Sequence, residues 1–377
     1  MTISTHPCLQ SCSTEMIEEQ DTPGVDNMGM NDLEHETHDR LVNLQTRIKN
    51  MSGDIVLVGD IMLDRYIHGY ANNLNSRAPV PVLKETHRHE DVGAAAHVAR
   101  GLENIGLDAI LFGVVGNDLP GESIIESLEE EEVECDGIAI IEDRTTTVKT
   151  RLIAGREYLI SNQQLVLRWD IEDDSPIDSE AHSTIMDQAV ARIANADVLI
   201  ISDYGQGVVT DEGAARLINA AKVAEVPVIC DPKLTGLHRT VGADWVIFQT
   251  RGLDLMAKRM ACNDSSEAAK ALITENNWGN LMVLQGENGV TVYTNDGNVI
   301  SAPCTLSEPR GMIGIIDAAG VAVAAGVNLG LAVADIAHLA NAACECIMGS
   351  TQNFTLTSDD LANRLGEVAW SLQISQR

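Results

Sequence analysis

Aromatic residues are scarce in this chain of 377 residues, since only 3% of them are Phe, Trp or Tyr. Hydrophobic residues still make up 45% of the sequence, so the core must consist mainly of Ala, Val, Ile and Leu. Basic residues are also few: 25 Lys and Arg stand against 56 Asp and Glu, which gives a formal net charge of −31 at pH 7. Such a surface repels phosphate backbones and anionic lipids, so we expect no nucleic-acid or membrane-surface binding.

Three further absences indicate the cellular compartment in which we expect the protein. The eight cysteines show no spacing typical of a disulfide framework or a zinc site. The start of the chain has no basic stretch followed by an apolar core, so we expect no secretory signal. No apolar run is long and charge-poor enough to span a bilayer, although 311–334 comes closest. Together these absences predict a cytoplasmic protein with free, mostly buried thiols.

The chain begins with an acidic extension that precedes a folded body. Residues 1–30 mix polar and acidic residues without periodicity, and we expect them to be disordered. Residues 31–51 carry apolar side chains among charges, which predicts a short amphipathic helix. This helix would pack either on the folded body or on a protein partner. We therefore assign 1–52 as an N-terminal extension and 53–377 as one domain.

Apolar runs and helical patterns alternate through the folded body. Strand-like runs precede helical stretches, for example 109–115 before 122–131, and 198–201 before 212–224. This alternation predicts an α/β fold with a mostly parallel sheet that is covered by helices on both faces. The β-rich segment 138–171 breaks the alternation, which indicates a small accessory sheet and a candidate lid.

One helix start carries a candidate catalytic residue. The segment Gly314-Ile315-Ile316-Asp317 opens a helix rich in Ala, Gly and Val. An aspartate in this position can remove a proton from a substrate hydroxyl, and the N–H groups beside it can bind a phosphate. The same aspartate can instead cap the helix. Both interpretations of Asp317 remain open from the residues alone.

Two runs near the start of the folded body form a distinctive pattern: Val58-Gly59-Asp60-Ile61-Met62-Leu63-Asp64-Arg65-Tyr66 and Arg77-Ala78-Pro79-Val80-Pro81-Val82. This pattern closely resembles the heptose-phosphate kinase domains of the PfkB/ribokinase family of carbohydrate kinases. The resemblance covers about 53–372, with Ala94 and His97 standing where the family has Gly and Asn. It implies a ribokinase-like α/β fold with a small β-sheet lid from about 61–82 and 138–171. Such kinases often form homodimers through the lid.

The resemblance implies a site for a small sugar phosphate between the first strand and the lid. It assigns substrate contacts to seven residues: Asp60, Asp64, Gly93, His97, Lys149, Arg151 and Arg168. The aspartates would accept hydrogen bonds from sugar hydroxyls, and the three cations would bind the phosphate. Simpler interpretations also fit: a turn and a surface ion pair for the aspartates, a capped or exposed helix histidine, and solvated strand faces for the cations.

On the nucleotide side, the resemblance implies ATP and Mg²⁺ as cofactors and Asp317 as the base that activates the acceptor hydroxyl. It assigns nucleotide contacts to Lys233, Gly289, Gly314 and Asn341. Purely structural roles remain open here as well, because Lys233 can be an ordinary loop lysine and Gly289 can serve a turn. The residues that would hold the metal are left unassigned.

Several nucleotide-side positions depart from the family pattern. Gln206 replaces a lysine, the run Gln249-Thr250-Arg251-Gly252 lacks the carboxylate that organises Mg²⁺, and Leu284-Gln285 lacks a hydroxyl and a cation. Ile315 and Ile316 replace small residues, and we expect their bulk to fill the space of an oxyanion.

Phosphoryl transfer depends almost entirely on positioning and electrostatic stabilisation. The missing groups therefore predict a carbohydrate kinase-like protein whose ATP-dependent transfer to a sugar phosphate is impaired or lost, a pseudokinase. The alternative is an active sugar kinase with altered nucleotide contacts.

Overall fold

The computed structural model describes residues 32–156, 159–350 and 354–374. The segment 1–30, for which we expect disorder, lies outside these ranges. The six cysteines within them are free thiols. The strands of the described chain are β1 (Asp54–Gly59), β2 (Ile61–Leu74), β3 (Pro81–Ala94), β4 (Asp108–Gly116), β5 (Glu134–Ile141), β6 (Val148–Arg156), β7 (Leu159–Ile171), β8 (Val198–Asp203), β9 (Val228–Pro232), β10 (Trp245–Gln249), β11 (Asn280–Leu284), β12 (Val290–Thr294) and β13 (Val299–Ala302).

Nine of these strands form one large sheet in the order β13-β12-β11-β10-β9-β8-β1-β4-β5. The seven strands from β11 to β5 pair in parallel, and β12 and β13 extend the other edge in antiparallel fashion. Successive side chains of a strand point to opposite faces. Accordingly, Ile55 and Leu57 of β1 pack into one core, whereas Val56 and Val58 pack into the other.

Helices cover both faces of this sheet. They are α1 (Asp32–Arg47), α2 (Ala95–Ile105), α3 (Leu119–Glu130), α4 (Ser179–Ile193), α5 (Asp211–Ala224), α6 (Thr250–Met260), α7 (Ser265–Asn276), α8 (Ile315–Asn328), α9 (Val333–Gly349) and α10 (Ser358–Ile374). Helices α4 to α7 lie on one face and the others on the opposite face. The predicted α/β architecture is confirmed. Among the described helices, none has the length and hydrophobicity needed to cross a bilayer.

A second sheet of four strands has the order β3-β2-β6-β7. It differs from the expected lid at both boundaries. Strand β3 continues to Ala94 because it pairs with β2 along its length, beyond the expected limit at 82. The segment 138–141 belongs instead to β5, because its backbone pairs with β4 at the edge of the large sheet.

Helix α1 is part of the folded body rather than a detached arm. Leu41 and Leu44 are each 1% exposed, and Ile48 of the following helical turn is fully buried. These side chains belong to the same core as α9 and α10, against which α1 packs. Of the two arrangements left open by the sequence, the structure therefore shows packing on the domain.

The junction between β3 and α2 is strained. Ala94 has φ 54° and ψ −130°, a backbone conformation that glycine adopts freely and that a Cβ atom disfavours. The next residue, Ala95, donates its N–H to the carbonyl oxygen of Asp60 at 3.1 Å, which fixes the junction against the end of β1.

Replacing Ala94 with glycine should relieve this strain and raise the free energy of unfolding by about 1 kcal/mol. Urea denaturation would show a higher midpoint with an unchanged slope. Ala95→Gly is the matched control, because the same change in a helical conformation should lower stability by roughly 0.5–1 kcal/mol. If Ala94→Gly leaves the free energy of unfolding unchanged, the backbone at Ala94 is not strained.

Truncating Leu44 to alanine tests the docking of α1. The variant should lose about 2–5 kcal/mol of stability, as buried leucines typically do. Val42→Ala, on the exposed side of the same helix, should stay within about 0.5 kcal/mol of the wild type. Equal stability of the two variants in a denaturation experiment would contradict the packing of α1 on the domain.

Candidate active site

Aspartates stand at the carboxyl ends of three neighbouring parallel strands. Asp60 directly follows β1, Asp203 ends β8, and Asp231 is the penultimate residue of β9. Because β1, β8 and β9 are adjacent, the three carboxyl groups lie at one edge of the sheet. This is the edge at which open α/β sheets bind ligands.

Asp60 serves the structure of this edge instead of contacting a ligand. Its side chain has no exposed surface. One carboxylate oxygen accepts from the N–H groups of Tyr204 and Gln206 at 2.8 and 3.0 Å, and the other accepts from that of Val208 at 3.1 Å. Burial raises the pKa of Asp60, although these three donors act in the opposite direction. The expected sugar contact is therefore wrong, because the fully buried side chain of Asp60 offers a sugar no accessible surface.

Asp317 lies in the first turn of α8, held by two partners from distant elements. His97 of α2 places its Nδ1 3.1 Å from Asp317 Oδ2. The hydroxyl of Tyr204 donates to Asp317 Oδ1 at 3.3 Å. The carboxylate is thus oriented by a histidine and a tyrosine that are both far from it in the sequence.

The protonation states of these partners suit their roles. Burial works against a charged His97, but its hydrogen bond with Asp317 and the charge of that carboxylate raise the pKa of His97 above its ordinary value. Burial and the nearby carboxylates raise the pKa of Tyr204 well above its ordinary value, so its hydroxyl remains a donor. The hydrogen bond with Asp317 places His97 at the site. The alternative that the sequence left open, a capped or exposed helix histidine, is therefore wrong.

The two isoleucines before Asp317 do not fill the space beside it. Gly314 alone carries the positive φ, at 86°, and both isoleucines lie within the helix. The side chain of Ile315 is buried in the core and that of Ile316 packs against the same core. The expected steric block is therefore wrong, because the side chains turn inward. The first N–H groups of a helix lack intrahelical partners, so α8 presents such donors next to Asp317.

The inner face of the small sheet brings Asp64 and Arg151 together. Arg151 Nη1 lies 2.6 Å from Asp64 Oδ1, and its guanidinium stands 5.1 Å from the ring centroid of Tyr66. Burial raises the pKa of Asp64, and the charge of Arg151 only partly offsets this effect. Gly93 leaves room for the pair, because a Cβ there would lie 3.0 Å from Asp64 Oδ2.

The other two expected phosphate ligands are neutralised within the small sheet. Lys149 lies 3.3 Å from Asp170 and 2.5 Å from Glu172, and Arg168 pairs with the same Asp170 at 2.8 Å. Because these carboxylates satisfy the two cations, the structure does not bring Lys149 and Arg168 to a common phosphate site. Arg151 is likewise paired with a carboxylate, that of Asp64.

A cavity of about 570 Å³ lies between the small sheet and the start of α8. Asp64, His97, Gly314 and Asp317 are the expected site residues that line it. Its remaining lining is Tyr66, His68, His87, His89, Asp91, Val92, Gln163, Arg310, Gly311, Ile313, Ile347, Ser350 and Phe354.

Sequence reasoning missed two features of this cavity. Arg310 is the one Arg or Lys among the described lining residues, and it lies in a segment that carries no motif. Three histidines of β2 and β3 also line the cavity. The spacing of His87 and His89, two residues apart in a strand, could have indicated that they share a face.

The expected nucleotide contacts are mostly engaged elsewhere. Asn341 is 3% exposed and donates to the carbonyl oxygen of Pro303 at 3.1 Å. Gly289 has φ 89°, and a Cβ there would lie 2.1 Å from the carbonyl oxygen of Ala302, so it serves a turn. Lys233 Nζ donates to the carbonyl oxygen of Tyr204 at 3.3 Å. Of the four expected residues, Gly314 alone lines the cavity that contains Asp317.

The residues after β10 and β11 do not fit ATP with Mg²⁺. Gln249 to Gly252 include no carboxylate, and Asp254 accepts a hydrogen bond from Ser265 at 2.9 Å. Gln285 accepts from Thr291 at 3.1 Å, and Met312 Sδ lies 2.9 Å from the position of a Cβ on Gly286. Mg²⁺ requires oxygen ligands, usually carboxylates. The residues 249–252 therefore supply no carboxylate for a magnesium ion.

Comparison with known proteins agrees with this architecture. The chain is similar to the bifunctional protein HldE of Paramagnetospirillum magneticum, with 32% identity over 324 residues, 84% of this chain and 64% of that protein. It is 30% identical over 316 residues to the bifunctional protein HldE of Gluconobacter oxydans, covering 83% of this chain and 64% of that protein. The chain thus spans about two thirds, or slightly less, of the length of these relatives.

Among solved structures, phosphofructokinase-2 from Escherichia coli in complex with substrates and products superposes with a TM-score of 0.69 at 16% identity, over 84% of this chain and 99% of that one. This likeness shows the shared ribokinase-like fold. The family model for pfkB family carbohydrate kinases matches residues 52–355. The chain belongs to the pfkB family of carbohydrate kinases.

Proposed function

We propose that this protein binds a sugar phosphate, of the heptose phosphate class, in the cavity between the small sheet and α8, and that ATP-dependent transfer to it is impaired or lost. The observation that carries the proposal is a contrast within one molecule. The sugar side is assembled, with Asp64 and Asp317 facing one cavity. On the nucleotide side, Asn341 and Gln285 form hydrogen bonds with other residues of the protein.

The cavity has the composition that a sugar phosphate requires. Asp64 and Asp317 can accept hydrogen bonds from hydroxyl groups, while Ile313 and Phe354 offer apolar surface for the C–H faces of a sugar. Arg310 supplies a cation for the phosphate in a chain that is otherwise strongly acidic. Recognition would thus combine carboxylates at one end of the ligand with a guanidinium at the other.

The electrostatics near Asp317 oppose a transferring phosphoryl group. Burial and the charges of Asp317 and Asp203 raise the pKa of Asp231 to about 8. Such a shift reports a strongly negative, poorly solvated environment. Phosphoryl transfer needs cations that offset the charge of the phosphate oxygens, and Lys233 is directed to the carbonyl oxygen of Tyr204.

A second candidate is an active sugar kinase with altered nucleotide contacts. One observation favours it: Ile315 and Ile316 leave the start of α8 unobstructed, next to Asp317. In that case, Asp317 would accept the proton of the acceptor hydroxyl, with its orientation maintained by His97 and Tyr204.

Ligand titrations of the purified chain distinguish the two candidates. Heptose 7-phosphate should raise the melting temperature by several degrees at saturating concentration, because a ligand at 100 times its Kd stabilises the folded state by about 2.7 kcal/mol. ATP with Mg²⁺ should cause no saturable shift, and no ADP should be released. Sugar-dependent ADP release would overturn the loss of transfer and support the second candidate; Asp317→Asn should then abolish that release.

Arg310→Met tests the phosphate contact. The variant should bind heptose 7-phosphate at least about 10-fold more weakly, since a hydrogen bond to a charged group contributes about 1.5–3 kcal/mol. Its affinity for the unphosphorylated heptose should not change. Arg88→Met is the matched control, because Arg88 is exposed and pairs with Glu85 at 2.7 Å. Equal affinities of the two variants in calorimetric titration would contradict the assignment of Arg310.

Asp231→Asn tests the negative environment. The pKa of Asp231 in the folded state, about 8, lies above the ordinary unfolded value of about 3.9. The fold therefore favours the protonated carboxyl, whose contribution to stability is complete below about pH 4 and is lost as the pH rises through about 8. The variant should exceed the wild type in free energy of unfolding by a few kcal/mol at pH 9, with the difference shrinking towards pH 4. A difference that does not vary with pH would refute the shift.

A further inference from the structure

Three histidines form a cluster on the inner face of the small sheet. His68 lies in β2, and His87 and His89 lie in the neighbouring strand β3. His68 pairs in register with His87, and His89 pairs with Tyr66. The rings stack, with centroids 4.4 Å apart for His68 and His87 and 5.2 Å apart for His68 and His89. One ring nitrogen of each histidine lies within 4.8 Å of the other two.

The hydrogen bonds of His68 leave one nitrogen available to a ligand. His68 is 6% exposed, and its Nδ1 lies 3.2 Å from Oε1 of Gln163. Because the amide oxygen can only accept, Nδ1 carries the proton and Nε2 carries the lone pair. Among the described residues, the buried Nε2 atoms of His68 and His89 have no hydrogen-bond partner. A buried polar atom without a partner is destabilising, and a bound ion would remove this cost.

We propose that His68, His87 and His89 form a binding site for a divalent transition-metal ion such as Zn²⁺, with one coordination position open to the cavity that contains Asp317. Three neutral imidazoles with an open fourth position are a common ligand set for zinc. Gln163 plays the positioning role, since histidine ligands usually donate their other N–H to an oxygen acceptor that fixes the tautomer.

Binding requires the stacked rings to reorient, because the ring planes of His68 and His87 are 5° apart and a metal ion lies in the plane of each imidazole that binds it. Zinc–nitrogen distances of about 2.0–2.1 Å place two ligand nitrogens of a tetrahedral site about 3.4 Å apart. The nitrogens, now up to 4.8 Å apart, must therefore approach by about 1 Å or slightly more. His87 is exposed, so rotation of its side chain can supply this movement. His68 can stay in place, held by Gln163.

The chemistry of the three imidazoles, rather than the charge around them, determines which ion fits this cluster. Asp64 and Asp91 line the same cavity, but Arg151 and Arg100 pair with them. Mg²⁺ and Ca²⁺ prefer oxygen ligands, so three imidazoles select a transition metal.

Metal titration of the full chain, purified without a polyhistidine tag and stripped of metals, tests this site. Zn²⁺ should bind with a stoichiometry of one in isothermal titration calorimetry. Co²⁺ should give the visible absorption of a tetrahedral site. Neither sugar nor nucleotide is present, so failure here is distinguishable from failure of the proposed sugar binding. Absence of stoichiometric binding, or an octahedral Co²⁺ spectrum from oxygen ligands, would overturn the proposal.

Variants assign the binding to these residues. His87→Ala and His89→Ala should each weaken Zn²⁺ binding at least about 100-fold, and Gln163→Ala about 10-fold through loss of orientation. His238→Ala is the control: His238 is exposed, pairs with Asp211 at 2.8 Å, and should leave the affinity unchanged. Circular dichroism verifies that each variant is folded. Unchanged affinity in folded His87→Ala and His89→Ala would overturn the site, as would equal losses in the control.

Discussion

The buried carboxylate of Asp60 is the interaction on which the geometry of the site depends. It accepts hydrogen bonds from the N–H groups of Tyr204, Gln206 and Val208, in the segment after β8. Its carbonyl oxygen accepts from Ala95, at the start of the helix that carries His97. Tyr204 and His97 are the two residues that hold Asp317. A buried carboxylate must find such donors, so one aspartate ties both supports of Asp317 to the end of β1.

Charge is distributed in a way that separates the two halves of the site. Lys149 and Arg151 of the small sheet are paired with carboxylates, and the cavity is lined by Arg310 and several imidazoles. Burial and the charges of Asp317 and Asp203 raise the pKa of Asp231 to about 8, although Arg239 pairs with Asp203 at 3.0 Å.

The fold could be predicted almost completely, because its signals are local. Apolar runs of strand length and intervening amphipathic helices imply a covered parallel sheet, and both faces of β1 are indeed buried. The boundaries of the small sheet could not be predicted as well. They depend on which strands pair, and β3 pairs with β2 whereas β5 pairs with β4. Of the residues that the sequence singled out, Asp64, His97 and Asp317 line one cavity, whereas Asp60, Lys149 and Arg168 form internal contacts.

The sequence by itself determined the family, the α/β architecture and the candidate base Asp317, because motifs and hydrophobic periodicity are written in neighbouring residues. Only the tertiary structure decided which side chains act together. His97 and Asp317 are 220 residues apart in the chain, and Arg310 carries no motif at all. The inward turn of Ile315 likewise depends on the core against which α8 packs. Burial and partner choice are properties of the folded packing, and they determine whether a given charge binds a ligand or another part of the protein.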